Sequence, residues 1–387
     1  MTIPSATSDP FNFPQQELLR YRGVLLDAIE RVTVSGQVIL GEGVRRFEAD
    51  FAAWLGSGCR PEQVVGVANG TDALELALRA AGVAPGDRVL LPSHTAYATA
   101  AAVLRLEAVT VFVDLEEGRA VLSPAHLRQR LEASGDRGRS GPFRAVIAVH
   151  LYGEACDLEA LQPICAEHGL ALIEDCAQAC GTTDRDQAVG TRGDFAAFSF
   201  YPTKNLAAFG DGGALVVNRP EAVEGARRSR FYGWDQARQA VQFGVNSRLD
   251  ELQAWVLLGK LPDLSQQIAQ RRQVAAWYRE LLGDAPLLLP EDGTDWRHSY
   301  HLYVVRLRDP SRRAEVMREA QRQGVPLALH YARACHQQPY VRERFGPQDP
   351  LPETERRLAE ILTLPLHPHL ERSHVEAVAH VLRPLLS

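Results

Sequence analysis

The 387 residues carry 45% hydrophobic and 23% charged side chains, the balance of a globular chain long enough for two domains and a sizeable core. A formal net charge of −6 argues against a nucleic-acid partner, which needs a basic face to offset phosphates. The longest run of small apolar residues, 96–104, is too short to cross a bilayer, and Met1 to Pro14 lacks the basic and apolar regions of a signal peptide. No membrane partner and a cytoplasmic location are therefore expected.

Six cysteines, at 59, 156, 165, 176, 180 and 335, suit a reducing compartment. Cys176 and Cys180 stand four apart with no second pair to complete a zinc set, so they read as buried structural thiols and no metal is expected.

Residues 15–56 read as helix, turn, helix. Leu18, Leu19, Val24, Leu25, Ala28 and Ile29 recur at helical spacing, Gly36 and Gly41 break the run, and a second amphipathic helix opens at Gly43 and stops near Gly56. Gly41-Glu42-Gly43 follows no strand and lacks a third glycine, so it is a turn and not a dinucleotide fingerprint. From Val64 short apolar runs alternate with helices. A strand at 64–68 feeds the turn Asn69-Gly70-Thr71-Asp72 and a helix at 73–80. That turn is either a plain N-cap or the seat of a phosphate on free N–H groups at Gly70 and Thr71.

A strand at 88–91 ends in Pro92-Ser93-His94-Thr95, a helix of small residues covers 97–106, and a strand at 109–113 ends at Asp114. A helix around 127–131 leads into an exposed, mobile loop from Gly135 to Pro142. The strand 145–149, the helix 158–168 and the strand 170–173 complete the alternation. Such repetition builds a mostly parallel, doubly wound α/β sheet, whose ligands bind beyond the carboxyl ends of the strands.

Asp175 lies at one of those ends. A carboxylate emerging from an apolar strand is costly unless a cation meets it, so Asp175 reads as a helix cap, an ion-pair member or the partner of a protonated ring nitrogen. Lys204 lies in Ser199-Phe200-Tyr201-Pro202-Thr203-Lys204-Asn205-Leu206, bordered by Gly210-Asp211-Gly212-Gly213 and by strands on both sides. A solitary loop lysine is ordinarily solvated, but a lysine that forms a Schiff base needs such partial burial to lower its pKa.

Beyond the strand 214–217, Asn246 or Ser247 is expected to cap the helix through Trp255 and Leu258, with Asp250 and Glu251 in its first turn. After Pro262 come a long helix reaching Leu282, a strand at 300–307, a helix at 312–324, the segment Ala328-Leu329-His330-Tyr331, and Leu364-Pro365-Leu366-His367-Pro368 before a final helix from Ser373. The expected division is a large domain over 1–255 and a smaller α+β domain over 256–387.

The stretches Asn69 to Leu74, Glu174 to Ala179, Ser199 to Asn205, Gly210 to Gly213, Asn246 to Ala254 and Leu364 to Pro368 occur in the order and at the intervals of one family. From about Pro10 to its C-terminus the chain resembles the DegT–DnrJ–StrS sugar aminotransferases, which use pyridoxal 5′-phosphate (PLP). The resemblance implies a fold type I α/β architecture with a mostly parallel seven-stranded sheet between helices. It implies that Lys204 is the Schiff-base lysine and general acid–base, and that Asp175 keeps the pyridinium nitrogen protonated. It places Gln178 close to the ring oxygen, and Gly70, Thr71 and Ser199 in the phosphate cup. Asn246 matches an asparagine that reaches the phosphate from the neighbouring subunit, so a homodimer with shared sites is implied, and Arg248 falls at the same interface.

Relatives place a large aromatic after the threonine of Pro-Ser-x-Thr. Here Ala96 stands there, which leaves Tyr97 or His94 to lie against the ring. Cys180 replaces a common histidine. His330-Tyr331 matches a His-Tyr pair that serves the dimer interface or the substrate. The implied reaction moves an amino group from L-glutamate to a nucleotide-linked keto sugar, best matched by a dTDP-3-keto-6-deoxyhexose. A 4-keto sugar and a regulatory role without catalysis are the alternatives.

Overall fold

The computed structural model describes residues 14–133 and 141–386. Most of the loop expected from Gly135 to Pro142 lies outside the described residues. The chain opens with helices α1 (Pro14–Arg20), α2 (Arg22–Ser35) and α3 (Glu42–Leu55). The alternating core follows as β1 (Val64–Val67), α4 (Gly70–Ala80), β2 (Arg88–Pro92), α5 (Tyr97–Arg105), β3 (Val109–Val113), α6 (Pro124–Glu132), β4 (Phe143–Val149), α7 (Leu158–Glu167) and β5 (Ala171–Asp175). A hairpin of β6 (Thr183–Asp184) and β7 (Gln187–Ala188) precedes β8 (Phe195–Ser199), β9 (Gly213–Val217), α8 (Val223–Ser229) and α9 (Glu251–Lys260).

The main sheet has seven strands in the order β1-β9-β8-β5-β4-β2-β3. β3, β2, β4, β5 and β8 run parallel to one another; β9 is antiparallel to both β8 and β1. Only β9 therefore opposes the rest, which is the mostly parallel sheet that the alternating pattern implied. Helices cover both faces, so the strands read as nearly continuous apolar runs. Their side chains still sort by parity. Ala145, Ile147 and Val149 of β4 join Ala171 and Ile173 of β5 in the core beneath α4 and α5. Val146, Ala148 and Leu172 join the opposite core with Leu158, Leu161 and Ile164 of α7.

The C-terminal unit contains α10 (Leu264–Leu282), β10 (Leu287–Leu288), β11 (Trp296–Arg297), β12 (Tyr303–Leu307), α11 (Arg313–Arg322), α12 (Pro339–Phe345), α13 (Pro352–Glu360), β13 (Ile361–Leu364) and α14 (Arg372–Leu386). Its antiparallel sheet, β10-β12-β13, packs against α10, α11 and α14 through a separate core that begins at Val274. The boundary expected after residue 255 cuts through α9. That helix buries Ala254 and Leu257 with Phe47 and Phe51 of α3, and the shared core continues to Ile268.

One local expectation is corrected. Neither Asn246 nor Ser247 caps α9, which starts at Glu251 after Asp250. The Ser247 hydroxyl donates to Asp72 at 2.7 Å and accepts the Ala68 amide at 3.1 Å, bracing the turn before α4. Glu251 serves α3 as well as its own helix: its buried carboxylate accepts the amides of Gly41 (2.9 Å), Gly43 and Val44 (3.2 Å).

Candidate active site

The strand register brings the motif residues to one edge of the sheet. Val67 and Ser199 both pair with Gly213, and Asp175 pairs with Ala197. The ends of β1, β5 and β8 and the start of β9 thus converge on a cavity of about 490 Å³, lined by Gly70, Thr71, Asp175, Gln178, Ser199 and Lys204 among others. These are the residues assigned above to the lysine, the ring and the phosphate cup.

The cup is the N-terminus of α4. Asn69 accepts the Asp72 amide at 2.8 Å, which leaves the Gly70 and Thr71 amides without an intrahelical acceptor. Capping and anion binding are therefore compatible, because different amides serve them. Close approach requires the glycines. A Cβ on Gly70 would stand 2.7 Å from Cβ of Ser199, and one on Gly213 would stand 2.5 Å from the carbonyl carbon of Asn69.

Lys204 sits in a turn closed by its amide and the Tyr201 carbonyl at 2.8 Å. The turn is anchored by Phe200, buried against Phe47 and Phe51, and by Asn205, which donates to the Cys180 carbonyl at 3.0 Å. Burial pushes the Lys204 amine down to about 8, against the opposing pull of Asp175. About a tenth is thus the free base at pH 7, roughly a few hundred-fold above an ordinary lysine, as a nucleophilic or proton-moving lysine requires.

The buried Asp175 carboxylate accepts the Thr99 hydroxyl at 2.8 Å and the Ala177 amide at 3.1 Å. Burial raises its pKa, and these two donors with Lys204 oppose the rise. Among the described residues it forms no ion pair at all. A buried carboxylate served only by neutral donors calls for a cation in the cavity, and a protonated pyridine nitrogen is such a cation. Together with the anion seat and the lysine of lowered pKa, this donor set fits PLP.

Gln178 is held from both sides. Its carbonyl accepts the Tyr152 amide at 2.9 Å, and its amide donates to the Tyr331 hydroxyl at 2.8 Å. Tyr331 is therefore one hydrogen bond from the cavity. His330 turns toward the small domain, its Nδ1 lying 2.9 Å from the Thr363 hydroxyl.

The remaining expected residues do not line the cavity within this chain. His94 is fully buried, with Nε2 2.6 Å from the Tyr152 hydroxyl. Tyr97 is 38% exposed on the first turn of α5, and Thr95 and Ala96 reach the cavity in its place. Tyr97 is not among the residues that line the cavity, so a shifted stacking tyrosine is not seen within this chain. Asn246 is exposed, and the Arg248 guanidinium lies over the Phe231 and Tyr232 rings at 4.8 and 5.5 Å.

The sequence reading missed Thr99 and Tyr152. Thr99 carried a faint signal as a hydroxyl in a helix of alanines. Tyr152, which ties His94, Gln178 and His330 together, carried none.

Glu174, His150 and Cys176 place one donor atom each within 4.8 Å of the others, all buried. Their hydrogen bonds account for the cluster. Glu174 accepts the amides of Gly190 (2.6 Å), Arg192 (3.0 Å) and Gly193 (2.6 Å) and pairs with His150 Nε2 at 3.0 Å, while His150 Nδ1 accepts the Cys156 amide at 2.9 Å. This is a clamp on the 190–193 turn. Cys176 and Cys180 are free, buried thiols, and burial raises Cys176 to about 12.

Comparison with known proteins gives the same outline. The model of the DegT/DnrJ/EryC1/StrS aminotransferase family matches residues 22–383. The erythromycin biosynthesis sensory transduction protein EryC1 of Saccharopolyspora erythraea is 40% identical over 377 residues, covering 97% of this chain and 98% of its own. A dTDP-3-amino-3,4,6-trideoxy-alpha-D-glucose transaminase of Streptomyces venezuelae is 39% identical over 357 residues, 92% of this chain and 90% of its own. The crystal structure of S. venezuelae DesV superposes with a TM-score of 0.89 at 37% identity, covering 98% of both chains.

Proposed function

We propose that this chain, which belongs to the DegT/DnrJ/EryC1/StrS aminotransferase family and is a PLP-dependent aminotransferase, moves an amino group from L-glutamate to a nucleotide-linked keto-6-deoxyhexose, with the ketone at carbon 3. The observation that carries this reading is the single cavity in which the low-pKa amine of Lys204 and the unpaired carboxylate of Asp175 meet the N-terminus of α4. Bound there, the coenzyme supplies an electron sink for the substrate carbanion.

The chain's own residues do the rest. Gly70, Thr71 and Ser199 hold the phosphate, and Asp175 holds a negative charge against the ring nitrogen. Gln178, fixed by Tyr152 and Tyr331, would offer its side chain to the ring oxygen. Lys204 Nζ takes and returns the proton at the reacting carbon. Carbon 3 and dTDP are supported by the wording of the Lys204 segment and by the 3-amino sugar in the name of the Streptomyces relative. Asn246 and Arg248, which do not reach this chain's own cavity, are assigned to the cavity of a second copy in a homodimer.

The test is the visible spectrum of the purified protein with PLP, then with L-glutamate, then with keto sugars. Colour is expected on adding PLP, bleaching with glutamate, and recovery with a dTDP-3-keto sugar. Recovery only with a 4-keto sugar overturns the carbon assignment. Absence of colour with Lys204 intact overturns catalysis and favours a regulatory role like the one in the name of the Saccharopolyspora relative.

A further inference from the structure

A second cavity, of about 620 Å³, lies where the turns around Arg119 and Glu154 face β10 to β12 of the small domain, and it shares no lining residue with the Lys204 cavity. Five guanidinium groups line it, those of Arg119, Arg279, Arg306, Arg308 and Arg357, against the three carboxylates of Glu154, Glu291 and Asp292. Two of the five are paired, Arg119 with Glu154 at 2.9 Å and Arg306 with Glu360 at 3.2 Å. Asp292 is occupied with the His298 amide at 2.7 Å.

The other three guanidiniums form no ion pair among the described residues. Arg357 is only 7% exposed, and the one hydrogen bond of its guanidinium goes to the Gly118 carbonyl at 2.9 Å. Arg279 reaches only the Tyr300 hydroxyl, at 3.1 Å. Arg308 lies exposed at the rim. A guanidinium offers five donors in a rigid fork, and burying one with most of them unused is costly unless an anion meets it. The volume exceeds what one phosphate fills, and Leu287, Leu289 and the Trp296 indole give the same cavity an apolar wall.

We propose that this cavity is a second ligand site that takes a diphosphate-bearing small molecule, its charge received by Arg279, Arg308 and Arg357. The site stands apart from the transaminase cavity and does not depend on which sugar is aminated. Tyr152 links the two cavities, for it lines this one and its amide holds Gln178.

The test is isothermal titration of the PLP-loaded protein with inorganic pyrophosphate and, separately, with thymidine diphosphate. Saturable binding that weakens at least tenfold in both Arg308→Ala and Arg357→Met, with the coenzyme spectrum and transaminase rate of Arg308→Ala unchanged, is expected. Thymidine diphosphate can also enter the transaminase cavity, so only the part of its binding that Arg308→Ala weakens is counted: when that part is tighter than pyrophosphate binding, a nucleoside diphosphate is the source, and otherwise the inorganic ion is. Wild-type protein that binds neither probe, or binding of both probes that Arg308→Ala leaves intact, overturns the proposal. The rim position of Arg308 keeps that second outcome readable even if Arg357→Met fails to fold.

Discussion

At the scale of the residue, the site depends on two buried charges that perturb each other. Burial brings the Lys204 amine to about 8, well below an ordinary lysine, and the Asp175 carboxylate limits the fall. Only the free amine attacks an aldehyde, so the rate at which apoprotein captures PLP should climb with pH and level off above about 8. Stopped-flow absorbance checks this; a rate still climbing in proportion to hydroxide beyond pH 10 would contradict a depressed pKa. Lys204 and Asp175 were legible in the sequence because each sits in a motif between apolar strands. Thr99 was not, since its bond to Asp175 joins residues far apart in the chain and depends on the rotation of α5 against β5. Tyr97 shows the same difficulty from the other side. Adjacency to Ala96 suggested a substitute ring, but Ala96 is the non-helical residue before α5 and lines the cavity, whereas Tyr97 opens the helix and is left exposed.

At the scale of the element, the helices flanking the sheet are fastened by side chains from distant segments. Glu251 is the clearest instance, closing the N-terminus of α3 from the first turn of α9. Its charge, at the start of its own helix, was readable as a dipole partner; its hold on three amides of another helix was not. Glu251→Ala strands those buried donors and should cost about 3 kcal/mol, read from a urea denaturation midpoint. An unchanged midpoint would mean that water replaces the carboxylate. The sheet itself was more legible than its fastenings. Parallel strands buried on both faces advertise themselves as short apolar runs between helices, and the alternation of runs and helices gave the architecture. The reversed direction of β9 left no such trace, because its composition matches that of its parallel neighbours.

At the scale of the whole molecule, the described surface keeps apolar side chains exposed on the segment between α8 and α9, including Tyr232, Val241 and Phe243, close in sequence to Asn246. A homodimer that shares its sites would cover this face and carry Asn246 to the partner's phosphate cup. Sedimentation should then give twice the 42.7 kDa chain mass. Mixing inactive Lys204→Ala with inactive Asn246→Ala chains should restore activity, because one hybrid site in each mixed dimer is intact. Continued inactivity in demonstrably mixed dimers would show each site to be built from one chain. Domain limits were the least readable feature at this scale. α9 has the amphipathic pattern of either unit, and its packing against α2 and α3 assigns it to the large one.

The neighbours Glu174 and Asp175 extend this reasoning. They point to opposite faces of β5, one gripping the 190–193 turn and the other facing the coenzyme cavity. A single-residue insertion or deletion in β5 would exchange their directions, sending the scaffold clamp into the cavity and the cavity's charge into the scaffold. No point substitution elsewhere repairs such a swap. Changes of length are therefore tolerable in loops outside the sheet but not in this strand, so libraries for altered specificity should hold 171–175 fixed and vary those loops.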